Sequence, residues 1–282
     1  MKNRGWFRGL ALFVGLGFLY IPILSMIFFS FNNSRLVTVW DTDNSPTLKW
    51  YVQLFDNNQI IDAALLSIRI AAMTATGAVI LGTIAGLVLA RFGPFRGRAL
   101  LSGLTTAPLV MPEVITGLSM LLLFVALEQL TGWPEGRGVL TVTIAHITFA
   151  MAYVTVVVQS RLAGFDDSLE EAALDLGARP AKVFFYVTLP QIFPAIVSGW
   201  LLAFTLSWDD VVISQFVSGP GATTLPMVIF SKVRLGVSPD VNALATIMVL
   251  IVATGVVVSA LYMRAQERRR AREVQMAHEN ER

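Results

Sequence analysis

The chain has 282 residues, of which 55% are apolar and 14% charged, with a formal net charge of +2 and no cysteine. Its charge-free runs are too long for a soluble core, and the missing cysteines exclude disulfides, thiolate metal sites and cysteine nucleophiles. An all-α integral membrane protein is the class this composition describes, because a hydrocarbon core of about 30 Å takes about 20 apolar residues in a helix.

Six segments meet that requirement, at 10–31, 70–90, 99–127, 139–160, 192–217 and 241–263. The first follows Lys2, Arg4 and Arg8 in the manner of a signal peptide, but its length, Pro22 and the lack of a clear small-residue cleavage site make it a retained span. A polar loop from Asn32 to Arg69, with Asp41, Asp43, Asp56 and Asp62, sets that helix apart and predicts a peripheral first helix beside a five-helix core. In the second segment Gly82 and Gly86 are four residues apart and permit close helix approach, which packing alone would explain. In the third, Pro108 and Pro112 each remove an amide donor, so a straight helix is not expected there. Broken helices persist in lipid only where protein or a watery cavity satisfies the freed carbonyls, which marks 108–113 as a candidate pathway wall.

The basic residues divide by side. Lys2, Arg4, Arg8, Arg91, Arg96, Arg98, Arg161, Arg179, Lys182 and the tail arginines from Arg264 to Arg282 fall on one face of a six-span topology, and only Arg35, Lys49, Arg69, Arg137, Lys232 and Arg234 on the other. The positive-inside rule then makes both termini cytoplasmic. The Arg268-Arg269-Arg270 run reads as an anchor near anionic lipid and not as a nucleic-acid patch.

Between the fourth and fifth segments lies a polar insert. Asp166-Asp167-Ser168 precedes Leu169-Glu170-Glu171-Ala172-Ala173-Leu174-Asp175-Leu176, and Ser168 with Glu171 has capping-box spacing, so a helix is expected to start there. Leu169, Ala172, Ala173 and Leu176 form one narrow apolar stripe. Gly177 suits the left-handed position that ends a helix and Pro180 the first turn of the next, which predicts two short helices with a bend.

The pattern Glu171-Ala172-Ala173, Gly177, Val187, Leu189-Pro190 resembles the EAA loop of bacterial ABC-importer permeases, with Val187 where isoleucine is commoner. The resemblance implies a type I ABC-importer permease fold of six transmembrane helices in the bacterial inner membrane. It also implies a cytoplasmic coupling helix in which Leu169, Glu171, Ala172, Ala173, Leu176, Gly177, Leu189 and Pro190 serve the ATPase subunit. Residues 1–31 would then be an N-terminal cytoplasmic segment and first helix, 32–64 a periplasmic loop, 65–263 the core with its EAA loop at 166–190, and 264–282 a cytoplasmic tail. Three further blocks, Pro108 to Gly117, Ser207 to Val212 with Ser218 to Gly221, and Val237 to Thr246, are similar to permeases of polyamine importers, nearest to the second permease of a putrescine system. Permeases for spermidine, iron or other small solutes share parts of them. The partners so implied are a second homologous permease, two ATP-binding cassette subunits that hold ATP and magnesium, a periplasmic polyamine-binding protein and the lipid bilayer, with no nucleic acid.

Carboxylates inside membrane segments cost about 2.5–3.5 kcal/mol each at the helix centre, so Glu113, Asp209 and Asp210 require a reason to be there. Glu113 and one of the two aspartates are expected to line an outer vestibule that accepts an ammonium group, with Trp208 offering a cation–π face or an interfacial anchor. Adjacent helical positions point about 100° apart, so Asp209 and Asp210 are not expected to share one duty, and one of them is free to hold a loop. His146 is expected to be a hydrogen-bonded packing residue. The chain has no Gly-Lys dipeptide and hence no P-loop of its own, and neither His-Glu-x-x-His nor Gly-x-Ser-x-Gly, so it is not expected to be an enzyme or to hold a cofactor. An autonomous secondary carrier or channel is the rival reading, and it has little use for an EAA loop.

Overall fold

The computed structural model describes residues 3–34, 39–164, 166, 168–235 and 238–280. Lys2, Arg35, Asp167, Val237 and Arg282, together with the side chains of Arg4, Arg268 to Arg270 and Arg272, lie outside the described residues. Among those described, every regular element is helical: α1 (Asn3–Phe29), α2 (Lys49–Phe55), α3 (Asn58–Arg91), α4 (Arg98–Val110), α5 (Glu113–Thr131), α6 (Val139–Ala163), α7 (Ser168–Asp175), α8 (Pro180–Val183), a π-helical turn (Phe184–Thr188), α9 (Leu189–Trp208), α10 (Val212–Val217), α11 (Leu225–Leu235) and α12 (Pro239–Asn280).

Among the described residues, five helical stretches are long and apolar enough to cross a membrane: Trp6–Phe29, α3, α5, α6 and the continuous Pro180–Trp208. The sixth expected segment, 241–263, lies in α12, whose described apolar part is Pro239–Gly255. Three segments differ from their expected outlines. The second begins at Asn58 and not at 70, so much of the expected loop from Asn32 to Arg69 is helical. The third, 99–127, is two helices, because Met111 turns extended at ψ 135° and Pro112, also extended, precedes α5. Pro108 stays inside α4, so Pro112 marks the break. The fifth, 192–217, ends as a helix at Trp208 and resumes at Val212. That correction takes Asp209 and Asp210 out of a helix interior.

The chain forms two compact units, Met1–Asn58 with Lys232–Arg282, and Gln59–Ser231. In the first, α1 and α2 both pack on α12. The turn after α1 is tied by Asn32, whose Oδ1 accepts from the amides of Ser34 and Asp41 and whose carbonyl accepts from the Trp50 indole at 2.7 Å. Lys232 forms an ion pair with Asp240 at the start of α12.

In the second unit α6 is the central post. Val142, Ala145, His146, Phe149, Ala150, Val154 and Val158 are buried on several of its faces, as expected of a helix that is apolar all round. Ala75 and Ala78 of α3 and Ile192 and Ala203 of α9 close on it at one level, and Ile70 of α3, Phe124 of α5 and Ile213 and Val217 of α10 at another. The close approach expected at Gly82 and Gly86 is real: a Cβ on Gly82 would stand 2.8 Å from Val154 Cβ and 2.9 Å from the Met151 carbonyl, and one on Gly86 3.0 Å from Val158 Cγ1. Gly199 of α9 approaches the same Val154. Three helices thus share one β-branched side chain.

Gly82→Ala should destabilise the protein by about 1–3 kcal/mol, because backbone cannot move aside in a filled core. Gly77→Ala should cost less, since it meets the terminal Cδ1 of Ile147. Thermal denaturation of the purified protein checks the order, and equal midpoints for Gly82→Ala and the wild type would contradict it.

Candidate functional site

The insert after α6 forms the two short helices and bend that its sequence predicts. Its start differs: Ser168 is the first helical residue, and both its amide, at 3.0 Å, and its hydroxyl are directed to the Asp166 carboxylate. The capping box expected from Ser168 and Glu171 is therefore replaced by a carboxylate two residues upstream, and the Ser168 amide holds Asp166 below the ordinary carboxylate range. The end is a Schellman turn, with Gly177 at φ +81°, Gly177 N donating to the Leu174 carbonyl and Ala178 N to that of Ala173. Pro180 occupies the first turn of α8.

The side chains of α7 fall on two sides without a clean division, since Leu174 on the inner side is itself 45% exposed. Leu169, Glu171, Ala172 and Leu176 are exposed, Leu176 to 89%, while Ala173 is half-buried. Gly177 is exposed and Leu189 and Pro190 open α9. The opposite face carries Glu170 and Leu174, which line a groove of about 330 Å³ with Leu87, Arg91, Val183, Phe184 and Thr188. The Thr188 hydroxyl donates to Glu170 Oε1 at 2.6 Å, and Arg91 Nη2 lies 3.5 Å from the same oxygen.

The second candidate region is the interruption between α9 and α10. Asp210 is folded inward with its side chain 6% exposed. Its Oδ1 accepts from the Ile213 amide at 3.2 Å and its Oδ2 from the Ser214 amide at 2.7 Å, which caps α10. His146, reaching over from α6 and 2% exposed, places Nε2 3.0 Å from Asp210 Oδ2 and 3.1 Å from Ser214 Oγ, and Nδ1 2.7 Å from Ser207 Oγ. Since a carboxylate only accepts, Nε2 carries the proton toward Asp210, and Nδ1 shares a hydrogen bond with the Ser207 hydroxyl. His146 is thus the hydrogen-bonded residue expected of it.

Asp209, by contrast, is exposed, as is Glu113 in the first turn of α5, where the helix dipole favours a carboxylate. No hydrogen bond or ion pair joins Glu113 to Asp209 or Asp210 among the described residues. One turn beyond Glu113, however, Gly117 packs against Ile213 and Phe216 of α10, where a Cβ would meet Phe216 Cδ2 at 2.7 Å. Trp208 is half-buried and stacks on Phe204, ring centroids 6.2 Å apart, and Phe204 on Trp200 at 5.4 Å, so three aromatics at i, i+4 and i+8 run along one face of α9. No group of three or more His, Asp or Glu suited to a metal ion occurs among the described residues.

Sequence reasoning missed Glu170, Arg91 and Thr188, and it did not connect His146 to Asp210. These pairs are 79 and 64 residues apart, beyond the reach of any local pattern. One signal was present for Glu170: it lies one turn before Leu174, on the side of α7 away from Leu169, Ala172 and Leu176.

Among the described residues this unit is all-helical, with several helices long and apolar enough to cross a membrane, an interrupted fifth segment and a helix–bend–helix insert before it, which is the form of a membrane-spanning protein. Residues 78–272 match the family described as binding-protein-dependent transport system inner membrane component. The chain is 56% identical to the putrescine transport system permease protein PotI of Escherichia coli K12, across 97% of this chain and 96% of that one. It is 41% identical to the spermidine/putrescine transport system permease protein PotC of Haemophilus influenzae, across 93% and 98%. Among solved structures it is similar to a bacterial ABC transporter involved in the import of the acidic polysaccharide alginate, with a TM-score of 0.70, 16% identity and coverage of 92% of this chain and 95% of that one. The MetNI methionine ABC transporter aligns with a TM-score of 0.57, 16% identity and coverage of 71% and 92%. The chain belongs to the binding-protein-dependent permease family and has the type I ABC-importer permease fold.

His146→Leu removes the ring that satisfies Asp210, Ser207 and Ser214, and should destabilise the folded protein by about 2–3 kcal/mol. His146→Gln, whose amide can still donate to Asp210, should lose less. Thermal midpoints of the purified variants check this ordering, and a wild-type midpoint for His146→Leu would refute it.

Proposed function

We propose that this chain forms one half of the translocation pathway of an ATP-driven polyamine importer, with putrescine as its principal solute. The observation that carries the reading is the 56% identity to a putrescine permease over nearly the whole of both chains. In this reading both termini are cytoplasmic, as the side bias of Lys and Arg supports. A periplasmic binding protein delivers the diamine, a second homologous permease completes the pathway, and two ATPase subunits holding ATP and magnesium drive alternating access.

The exposed stripe of Leu169, Ala172 and Leu176, with Glu171 beside it, enters a groove on the ATPase subunit. Half-buried Ala173 and the Gly177 turn fix its angle, and Leu189-Pro190 pass the motion to α9. Small alanines support this role because they let a partner backbone come close. At the other end of α9, Glu113 and Asp209 present exposed carboxylates to an ammonium group, and the Trp208 ring flanks it. Asp210 contributes to the pathway by holding the interruption that exposes Asp209, since its oxygens already accept two amides and the His146 ring.

Reconstitution with candidate ATPase and binding-protein partners, followed by uptake of putrescine, spermidine and a non-amine solute, tests the reading. ATP-dependent putrescine uptake is expected, and Glu113→Gln and Asp209→Asn should each lower it about tenfold, the scale of one hydrogen bond to a charged group, while the complex still assembles. Transport by this chain without ATP, or a preference for the non-amine solute, would overturn it. Gly177→Val, forced to φ +81°, should cost about 1–2 kcal/mol locally and lower uptake per ATP hydrolysed. Full coupling in that variant would contradict the docking role.

A further inference from the structure

Of the expected docking residues on α7, Leu169, Glu171 and Ala172 are exposed and Ala173 is half-buried, and among the described residues it is the neighbouring Glu170, on the inward side, that ties this helix by its charge to the helices behind it. Its Oε1 is the meeting point of three elements. Thr188, the last residue of the π-helical turn and the one immediately before Leu189-Pro190, donates its hydroxyl at 2.6 Å. Arg91, the last residue of α3, brings Nη2 to 3.5 Å, at a helix C-terminus where a cation is favoured. The pair is about one-fifth exposed on each side and is walled by Leu87, Leu174, Val183 and Phe184, so it is shielded from water more than a surface ion pair.

The covalent route from α7 to α9 is longer. It runs through the left-handed turn at Gly177 and then up the first turns of the continuous helix Pro180–Trp208, which are α8 and the π-helical turn. A displacement of α7 carried only along that route would be absorbed at the Gly177 turn and by rewinding of the π turn. The Glu170 contacts bypass the Gly177 turn and α8 and fasten the far end of the π turn.

We infer that Glu170 is a positioning residue for energy coupling: through Thr188 and Arg91 it makes α7 and the roots of α3 and α9 move as one body when the ATPase acts on α7. The inference rests on the proposed docking of α7 and concerns residues outside the motif that identified it. A consequence is a division of labour between adjacent glutamates, with Glu171 facing the partner subunit and Glu170 facing the protein's own helices.

The test uses the whole transporter in proteoliposomes, with assembly followed by co-purification of the ATPase subunits, and reads solute imported per ATP hydrolysed. Glu170→Ala should lower that ratio about fivefold to tenfold, the range of one coupled contact, with ATP hydrolysis within about twofold of wild type. Glu170→Gln, which keeps an acceptor for Thr188 but no charge for Arg91, should fall between, and Thr188→Val should lower the ratio less than Glu170→Ala. The charge exchange Arg91→Glu with Glu170→Arg should recover part of what either single change loses. A wild-type ratio in assembled Glu170→Ala and Thr188→Val overturns the inference. So does a failure of Glu170→Ala to assemble combined with full coupling in Thr188→Val and Glu170→Gln. If the wild-type complex itself shows no ATP-dependent uptake, the underlying reading fails, an outcome distinct from unaltered coupling in the variants of a working transporter.

Discussion

A helix that stops within an apolar layer leaves amides and carbonyls that water does not reach, and the protein must satisfy them from within. The interruption after Trp208 meets this constraint through one carboxylate. Asp210 takes the Ile213 and Ser214 amides that open α10 and is in turn held by His146 of α6, whose other nitrogen is hydrogen-bonded to the Ser207 hydroxyl at the end of α9. Three helices are fixed by three side chains. Without that closure α10 would have no cap, and the contacts of Ile213 and Val217 with Val142 and Phe124 would lose their anchor. The exposure of Asp209 follows from the same geometry, since Asp210 turns inward and its neighbour is directed away.

A second constraint sets how closely the helices of this unit meet. Gly82, Gly86 and Gly199 bring α3 and α9 against α6 around Val154 and Val158, at separations that leave no room for a Cβ on Gly82. Close backbone packing in lipid gains dispersion contacts where no hydrophobic difference between helix and solvent is available. It also leaves the α6 surface stiff, which is what a post carrying His146 requires. Thr155 turns its hydroxyl to its own backbone, at the Met151 carbonyl, whereas the hydroxyls of Thr74 and Thr83 on α3 are buried without a hydrogen-bond partner.

Local chemistry made the insert legible in the sequence. Gly177 and Pro180 act within a turn or two of helix, and the structure has the bend that they predict; of the apolar stripe Leu169, Ala172, Ala173 and Leu176, all but half-buried Ala173 are exposed. Pro112 likewise announced the broken third segment, since a proline restricts the residue before it. The end of α9 at Trp208 was not legible: the run 192–217 is apolar enough to continue, and what stops it is a carboxylate held by a histidine 64 residues away. Glu170 escaped for the same reason, because its inward partners belong to α3 and the π turn. Carboxylates in the membrane segments signalled that something was there but not which one faced out.

The two candidate regions are the two ends of one helix. At about 1.5 Å per residue the 20 residues of α9 separate Leu189 from Trp208 by about 30 Å. Its root is the less regular end. Pro190 and Pro194 each lack an amide, and a proline ring also presses on the carbonyl four residues back, so the turn before Pro190 widens until Leu189 N donates to Phe184 O, five residues upstream. Beyond Pro194 the helix is regular and carries the stacked Trp200, Phe204 and Trp208. Strain introduced at the root therefore has two outlets, local rewinding of the π turn or rigid displacement of the regular part. A contact that ties Thr188 to a neighbouring element restrains the first and favours the second, and rigid displacement is the outcome that reaches Asp209.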